Sequence, residues 1–278
     1  MQENKGKMQG RLPQFRQLTF PALLFILFIV SRQSASAQPA MQTILIPAGA
    51  FQMGSDDGLS DERPAHQVAL EAFSIARTPV TNAQFADFLN VIGAVGENGE
   101  RYFDSTDSDA RVHLRGRRWI ADTGSEEHPV VEVSWFGAKA FCEWVGMRLP
   151  TEAEWEKASR GTDGRRYPCG NEEPDRTRAQ YDSGWNDTER VGRFPKGASP
   201  YGVLDMAGNA WEWVSSAYRP YPYNPKDGRE DQRGGPVRST RGGGQDSGPD
   251  EITTTQRGRN LSREPQGGHH NIGFRCAK

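Results

Sequence analysis

Apolar side chains recur at helical spacing in three segments of the chain. In the first segment, four residues occupy positions i, i+3, i+4 and i+7 of one helix face: Phe85, Phe88, Leu89 and Ile92. That spacing predicts an amphipathic helix. Thr81 or Asn82 is its expected N-cap, and Gly93 is its expected end.

A second and a third helix are predicted farther along the chain. The second covers residues 134–146 and carries its apolar face on four residues: Ala138, Phe141, Cys142 and Val145. The third begins at Thr151 with the sequence Thr-Glu-Ala-Glu, which is typical of a capping box. Its last turn holds Lys157 and Arg160, which complement the helix dipole, and Gly161 ends it.

The remaining pattern predicts short strands and many turns. Residues 44–46 form an apolar run that leads into a turn at Gly49, and residues 111–119 predict a hairpin that turns at Arg115-Gly116. Beyond Gly161 no amphipathic helix is predicted, and the 31 glycines and 18 prolines of the chain favour turns. We therefore expect an α+β fold that is loop-rich, with few helices and short strands.

The N-terminal segment has the pattern of a secretory signal. Four basic residues precede an apolar run over residues 20–30, and a small, polar stretch with the sequence Ala-Ser-Ala at residues 35–37 follows. We expect residues 1–37 to be a signal peptide and residues 38–278 to be one mature domain in the periplasm or outside the cell. The alternative is an uncleaved anchor, but eleven apolar residues fall short of the roughly 20 that span a bilayer. We therefore expect no stable membrane insertion after cleavage.

The charge of the mature chain bears on its partners. Removal of residues 1–37 takes away five basic residues and one acidic residue, which moves the formal net charge from −2 to −6. A mildly acidic protein does not neutralise phosphates well, so we expect no nucleic-acid partner. Nothing within residues 42–278 has the composition of a linker, which favours a single domain.

Six sequence blocks identify a family resemblance. They are IPAGAFQMGS from residue 46, TPVTNAQF from 78, HPVV and VSW from 128 and 133, RLPTEAEWE from 148, GVLDMAGNAWEW from 202 and NIGFR from 271. In this order the blocks resemble the formylglycine-generating enzyme (sulfatase-modifying factor) family. The resemblance implies a variant of the C-type lectin fold, which agrees with the loop-rich α+β class predicted above.

The chain has three cysteines, an odd number for an exported protein. The resemblance implies a disulfide between Cys142 and Cys276. The alternative, two buried free thiols, is less favoured in an oxidising compartment. Cys169 stands where relatives usually carry tryptophan, and we expect it to be an inert substitution.

The resemblance breaks down at the family's catalytic thiols. In formylglycine-generating enzymes, two cysteines after an Arg-Gly-Gly motif hold Cu(I), which prefers soft sulfur ligands. Here the motif is Arg241-Gly242-Gly243, and Ser247 and Ile252 stand at about the two thiol positions. No cysteine lies between Cys169 and Cys276, so the copper-dithiolate mechanism is excluded.

The resemblance also implies structural calcium. One site would use two carboxylates and two carbonyl groups, from Asp205, Gly208, Ala210 and Glu212. Hard oxygen donors on a tight turn suit Ca²⁺. The alternative is that Glu212 only caps a turn between two buried tryptophans. A second site would fall near Gln180, Tyr181 and Asp187, where glutamine replaces the usual asparagine.

Two groups of polar residues are candidates for chemistry in place of the missing thiols. Asp246, Ser247 and Glu251 lie in the polar segment 245–263, which occupies the family's active-site region, and we assign them as candidate catalytic residues. His269 and His270, with Glu264 near them in sequence, are candidate ligands of a redox metal of unknown identity. In both cases the alternative is a solvated loop.

Two classes of function remain open. The first is an exported oxidoreductase-like protein that modifies or matures a peptidic or protein substrate, similar to the periplasmic branch of the family that matures the siderophore pyoverdine. The second is a non-catalytic, calcium-stabilised, lectin-like binding module. A polar constellation within residues 245–264 favours the first, and the lack of an assignable redox group favours the second, so the sequence leaves open whether the protein is an enzyme.

Overall fold

The computed structural model describes residues 38–233, 237–258 and 266–278, together with residues 1, 2, 6 and 10. The predicted signal peptide therefore lies almost entirely outside the described residues. Contacts divide the chain into two units, Met1–Ala35 and Ser36–Lys278, and every element described below belongs to the second. Within the described part of the chain, no helix has the length and apolar character that crossing a bilayer requires.

The regular elements are short. Their strands are β1 (Thr43–Ile46), β2 (Gly49–Met53), β3 (His66–Leu70), β4 (Phe73–Ala76), β5 (Val112–Arg115), β6 (Arg118–Ala121), β7 (Trp211–Ala217), β8 (Arg238–Arg241) and β9 (Ile272–Phe274). The helices are α1 (Asn82–Ile92), α2 (Trp135–Trp144) and α3 (Glu152–Arg160), and single 3₁₀ turns cover Pro195–Gly197 and Pro249–Glu251. The predicted loop-rich α+β class is confirmed.

Side-chain caps begin all three helices where the sequence predicts them. Thr81 and Thr151 each form a capping box, with Gln84 and Glu154 as the reciprocal partners. Ser134 caps α2 by accepting a hydrogen bond from the backbone of the first turn. Each cap satisfies N–H groups that have no partner within the helix, and its loss typically costs about 1 kcal/mol.

The strands form four small sheets among the described residues. Three are antiparallel pairs, β1 with β4, β2 with β3 and β5 with β6. The last pair is the predicted hairpin, and Gly116 at its turn has a φ of +67°. In the fourth sheet, β7 is central, antiparallel to β8 and parallel to β9. This sheet brings residues that are about 30 to 60 positions apart to one edge, where the candidate site lies.

The main apolar cluster fills the space between α1, α2 and the central sheet. Phe85, Phe88, Phe141 and Phe274 are fully buried and pack largely edge to face, an arrangement that aromatic rings favour. A disulfide joins Cys142 on α2 to Cys276 beside this cluster, so the predicted pairing is confirmed. It spans 134 residues, and closing so long a loop stabilises the fold by about 4–5 kcal/mol in the chain-entropy model.

Candidate functional site

The loop that leaves β8 begins with the Arg-Gly-Gly motif. Gly242 and Gly243 have φ values of +96° and +77°, which side chains with a Cβ rarely adopt. At Gly244 a Cβ would lie 2.9 Å from Oδ1 of Asp246 and 3.1 Å from Cδ1 of Trp211. Three successive glycines therefore let the chain turn sharply and bring the Asp246 carboxylate against the end of β7.

Buried ion pairs hold both ends of this loop on α3. We call Arg241, Arg257, Glu152 and Glu156 the arginine network; all four are fully buried or nearly so. Nη2 of Arg241 lies 2.6 Å from Oε2 of Glu156, and Nε of Arg257 lies 2.7 Å from Oε1 of Glu152. Burial would raise the pKa of Glu152, but Arg257 and Arg241 outweigh burial and hold that pKa below its ordinary value.

A cavity of about 270 Å³, the smaller cavity, opens over the loop. Its lining residues are Leu59, Trp211, Asp246, Ser247, Glu251, Gln256, Arg257, Gly258, His270 and Asn271. The structure therefore brings all three candidate catalytic residues together with one of the two candidate metal-binding histidines. His269 does not line this cavity.

An imidazole–carboxylate pair is the best-positioned chemical group in the smaller cavity. Nε2 of His270 lies 3.1 Å from Oδ2 of Asp246, and Nδ2 of Asn271 donates to Oδ1 of the same carboxylate at 3.0 Å. Trp185 stacks on the imidazole with ring centroids 3.6 Å apart. The hydrogen bond from His270 holds the pKa of Asp246 below its ordinary value. A fixed imidazole beside an ionised carboxylate has the geometry to accept a proton and return it.

The other two candidate catalytic residues have local partners. Oγ of Ser247 accepts a hydrogen bond from the Gly244 amide at 3.1 Å, and Oε2 of Glu251 accepts one from the Gly248 amide at 3.1 Å. Within the described residues, Ser247 makes no hydrogen bond with His270, so these residues do not form a serine–histidine relay. The residues of the smaller cavity can therefore transfer a proton and bind polar groups of a ligand.

No thiol lines this cavity among the described residues. Ile252, at the second thiol position, is fully buried in a cluster with Tyr167 and Tyr181. The free Cys169 is partly buried and packs against the same cluster. Its assignment as an inert substitution stays a prediction.

A larger cavity of about 600 Å³ shares Leu59 with the smaller one and is lined largely by polar residues. Its most buried acid is Glu62, which accepts a hydrogen bond of 2.7 Å from Oγ1 of Thr255. Burial raises the pKa of Glu62. The sequence did not indicate that Glu62 and Thr255 line one cavity, because they are 193 positions apart. The acidic sequence of residues 56–62, directly after the first family block, is the feature of the sequence that indicates a polar site here.

The predicted calcium residues fit a hard cation only in part. Asp205 is buried, its Oδ2 accepts from the Gly192 amide at 2.6 Å, and its Oδ1 has no hydrogen-bond partner. Burial raises the pKa of Asp205 to about 6. Both Glu212 oxygens, however, lie 2.6 Å from the Arg275 guanidinium, and one also accepts from the Trp155 indole at 2.8 Å. Asp205 thus offers a free oxygen, whereas Glu212 is already paired with a cation.

The backbone groups of that turn and the second predicted calcium site are placed as follows. The carbonyl oxygen of Gly208 accepts from the amide of Ala210 at 2.9 Å. At the second site, Nε2 of Gln180 donates to the carbonyl oxygen of Asp187 at 2.8 Å and lies 3.2 Å from its carboxylate. Calcium at both places stays a prediction.

The redox-metal assignment also stays a prediction. The carbonyl oxygen of His269 accepts from the amide of Glu132 at 3.0 Å, while His270 faces Asp246. The one group of three metal-ligand side chains that converges in the described part of the chain is Asp107, Asp109 and Glu132, and neither histidine belongs to it. Glu264 lies outside the described residues.

Comparison with known proteins places these features in context. The family model of the sulfatase-modifying factor enzyme 1-like domain matches residues 30–278. The chain is 34% identical over 286 residues to a formylglycine-generating enzyme of Streptomyces coelicolor, which covers 84% of this chain and 88% of the relative. It is similar in structure to PvdO from Pseudomonas aeruginosa, with a TM-score of 0.67 and 25% identity over 87% of this chain and 95% of the other.

A further relative is much longer than this chain. The chain is 38% identical over 255 residues to the serine/threonine-protein kinase pkn1 of Chlamydia pneumoniae. The match covers 89% of this chain but only 39% of that kinase. The chain thus spans about two fifths of the length of this relative.

Proposed function

This chain belongs to the sulfatase-modifying factor enzyme 1-like domain family, and from that premise we propose that it is an oxidative modifier or maturation factor of a peptidic substrate that works without thiolate-bound copper. The observation that carries the proposal is the Asp246–His270 pair, fixed by Asn271 and Trp185 in a cavity over the Arg-Gly-Gly loop. Similarity to the formylglycine-generating enzyme and to PvdO supports the proposal of an oxidative or maturation function.

Three residues of the smaller cavity, His270, Asp246 and Glu251, have proposed tasks in the reaction. Dioxygen from solution is the proposed oxidant, and the substrate loses two hydrogens, one as a proton and one with the electron pair. His270 takes the proton, and Asp246 stabilises the imidazolium that results. Dioxygen takes up the electron pair and both hydrogens and leaves as hydrogen peroxide. Glu251 binds polar groups of the substrate, whereas Arg257, whose guanidinium is paired with Glu152, holds the end of the loop in place. The family's copper does not fit here, because a serine hydroxyl and an isoleucine replace its soft ligands, and no step is assigned to it.

The larger cavity suits the rest of a peptidic substrate. Its polar lining and its position beside the smaller cavity, with Leu59 common to both, offer hydrogen bonds to an extended chain. A siderophore precursor is one substrate of this kind. We place the mature protein in the periplasm or outside the cell, and the long-range disulfide supports an oxidising compartment. We further propose that calcium at Asp205 is structural.

The test is a search for peptide oxidation by mass spectrometry. The purified protein is incubated in air with a tryptic digest of whole-cell protein, and peptides are inspected for a loss of 2 Da, the change that removal of two hydrogens by dioxygen produces. We expect modified peptides with the wild-type protein and a drop of about 10²-fold or more with His270→Gln or Asp246→Asn, the usual scale for losing an acid–base group. Metal analysis of the same sample shows whether a redox metal accompanies the activity.

A matched control separates chemistry from folding. Asp163→Asn removes an exposed carboxylate that pairs with Arg165 outside the smaller cavity, and it should retain full activity. Equal activity of all the variants, or peptide oxidation that persists in Asp246→Asn, would contradict the assignment of this pair.

A binding module is the second candidate function, and one observation favours it. Neither cavity is lined by a thiol, and no group of three metal ligands converges on either cavity among the described residues. In that case the same incubation would retain peptides on the immobilised protein without any change in their mass. Retention would then weaken in variants of the cavity residues, such as Asp246→Asn.

A further inference from the structure

Three carboxylates converge at a place that neither the sequence nor the family resemblance indicates. Asp107 and Asp109 lie in the loop before β5, and Glu132 lies two residues before the N-cap of α2. Ligand oxygens of the three side chains all lie within 4.8 Å of one another. We call these three residues the acidic cluster.

Glu132 distinguishes this cluster from an ordinary group of surface acids. The residue is 3% exposed, and among the described residues its carboxylate has burial and the charges of Asp107, Asp104, Asp109 and Arg101 acting on it but no hydrogen bond or ion pair. A buried ionised carboxylate without a partner is strongly unfavourable. One oxygen of Glu132 lies within 4.8 Å of a carboxylate oxygen of Asp107 and of Asp109, which carry the same charge.

Among the described residues, Glu132 has no ion pair with a cation. Arg101 is the nearby cation, and its guanidinium is already paired with Asp104 at 2.9 Å. Burial, followed by the charges of Asp107 and Asp104, raises the pKa of Glu132 to about 8. The cluster therefore either holds a proton or binds a cation from solution.

We propose that Asp107, Asp109 and Glu132 form a binding site for a hard divalent cation of the calcium class. All the converging donors are oxygens, which favour calcium, magnesium or manganese over softer metals. Asp107 is exposed and Asp109 is half-buried, so water can complete the coordination shell. Because Glu132 is the most buried of the three, its ionised carboxylate is the one that a bound cation stabilises most.

The site is connected to the smaller cavity through Trp185. The indole Nε1 of Trp185 donates to Oδ2 of Asp109 at 2.9 Å, and its ring stacks on His270. On the other side of the cluster, the amide of Glu132 donates to the carbonyl of His269 at 3.0 Å. An ion on these carboxylates would therefore order the wall that positions the Asp246–His270 pair, whatever the reaction.

Terbium luminescence offers a direct test, because Tb³⁺ replaces calcium and is excited by a nearby indole. Full-length protein is stripped with chelator and titrated with Tb³⁺, and bound Tb³⁺ is then displaced with Ca²⁺. We expect sensitised emission that Ca²⁺ removes. Glu132→Gln should weaken the binding at least tenfold, and Trp185→Phe should remove most of the emission while calorimetry still detects Ca²⁺ binding.

Two further variants keep the result interpretable. Asp107→Asn changes an exposed side chain and should weaken binding even if Glu132→Gln proves difficult to purify. Asp205→Asn alters the predicted calcium site of the family and should leave the Trp185-dependent emission unchanged. The proposal is overturned if Glu132→Gln and Asp107→Asn bind as the wild type does, or if only Asp205→Asn loses emission. None of these outcomes depends on enzymatic activity.

Discussion

Two regions of the molecule bury carboxylates in opposite ways. In the arginine network, Glu152 and Glu156 face Arg257 and Arg241 at distances of 2.6 to 3.3 Å, so every buried negative charge has a cation beside it. In the acidic cluster, Glu132 is just as inaccessible but faces two more acids. The pKa of Glu152 is lowered and that of Glu132 is raised to about 8, although both side chains are buried.

The difference shows what each region is built for. In a fully paired network each carboxylate already has a cation, so no charge is left for a ligand to neutralise. Removing one partner strongly destabilises the fold, so the network has a structural role. An unpaired buried carboxylate destabilises the protein alone and gains when a cation binds. The smaller cavity lies between these extremes, since Asp246 is paired with His270 yet remains partly exposed to solvent.

The largest effect is expected from breaking the arginine network. Arg241→Met removes the guanidinium 2.6 Å from Glu156 and leaves Arg160, at 3.2 Å, as the remaining cation beside that buried carboxylate. Removal of one member of a buried pair typically costs about 3–5 kcal/mol. Urea unfolding followed by circular dichroism measures the change. The matched control is Arg166→Met, which breaks an exposed pair with Asp250 and should cost less than about 1 kcal/mol. Equal losses of unfolding free energy in the two variants would show that the burial of the arginine network does not determine its contribution to stability.

The pH dependence of stability is expected to separate Glu132 from the paired acids. Because its folded-state pKa is raised from 4.5 to about 8, Glu132 contributes most stability below pH 4.5, and the contribution is lost as the pH rises to about 8. At about 1.4 kcal/mol per pKa unit, the difference between 4.5 and about 8 corresponds to a loss of up to about 5 kcal/mol. Urea unfolding in chelator at pH 5 and pH 8 should show this difference relative to Glu132→Gln.

Adding calcium to the same urea-unfolding measurement tests whether an ion binds Glu132. An ion on the acidic cluster favours the ionised form of Glu132, so added Ca²⁺ should remove most of the difference between wild type and Glu132→Gln at pH 8. Parallel pH profiles of the two proteins in chelator would contradict the assignment of an unpaired acid.

A smaller effect of the same sign is expected at Asp205. Its pKa is raised from 3.8 to about 6 by burial, so its contribution to stability is lost as the pH rises from about 4 to about 6. The magnitude is at most about 3 kcal/mol, and Asp205→Asn should flatten the unfolding free energy over this range. If calcium occupies this turn, its addition should flatten the wild-type profile as well, whereas an unchanged profile argues against the ion.

The smallest effect on stability is expected in the smaller cavity. Asp246→Asn replaces a partly exposed carboxylate by an amide of the same shape, so we expect the free energy of unfolding to change by about 1 kcal/mol or less. A thermal melt measures this directly. A loss as large as that of Arg241→Met would place Asp246 in the scaffold and not in a site.

Local patterns predicted the parts of the fold that local forces determine. The caps at Thr81, Ser134 and Thr151 lie within one turn of the groups they satisfy, so spacing alone located all three helices. The disulfide joins residues 134 positions apart and was predicted through the family resemblance. Asp246, Ser247 and Glu251 were grouped because they are close in sequence, and the structure places them in one cavity.

The missed features join residues that are remote in sequence. Trp185 contacts Asp109 across 76 positions, and no periodicity or motif predicts such a pair. Glu132 sits among residues of a family block, and only the fold shows that it is buried without a partner. Glu212 was assigned to calcium without its partner Arg275, which lies 63 positions away on the neighbouring segment after β9.

The central claim is that the smaller cavity works through Asp246 and His270 and not through thiols. The most direct test is the peptide-oxidation assay on protein whose one free thiol, Cys169, has been alkylated with iodoacetamide. We predict that alkylated wild-type protein modifies peptides as fast as untreated protein, whereas Asp246→Asn does not modify them. Loss of activity on alkylation, with full activity in Asp246→Asn, would contradict the claim and return the chemistry to sulfur.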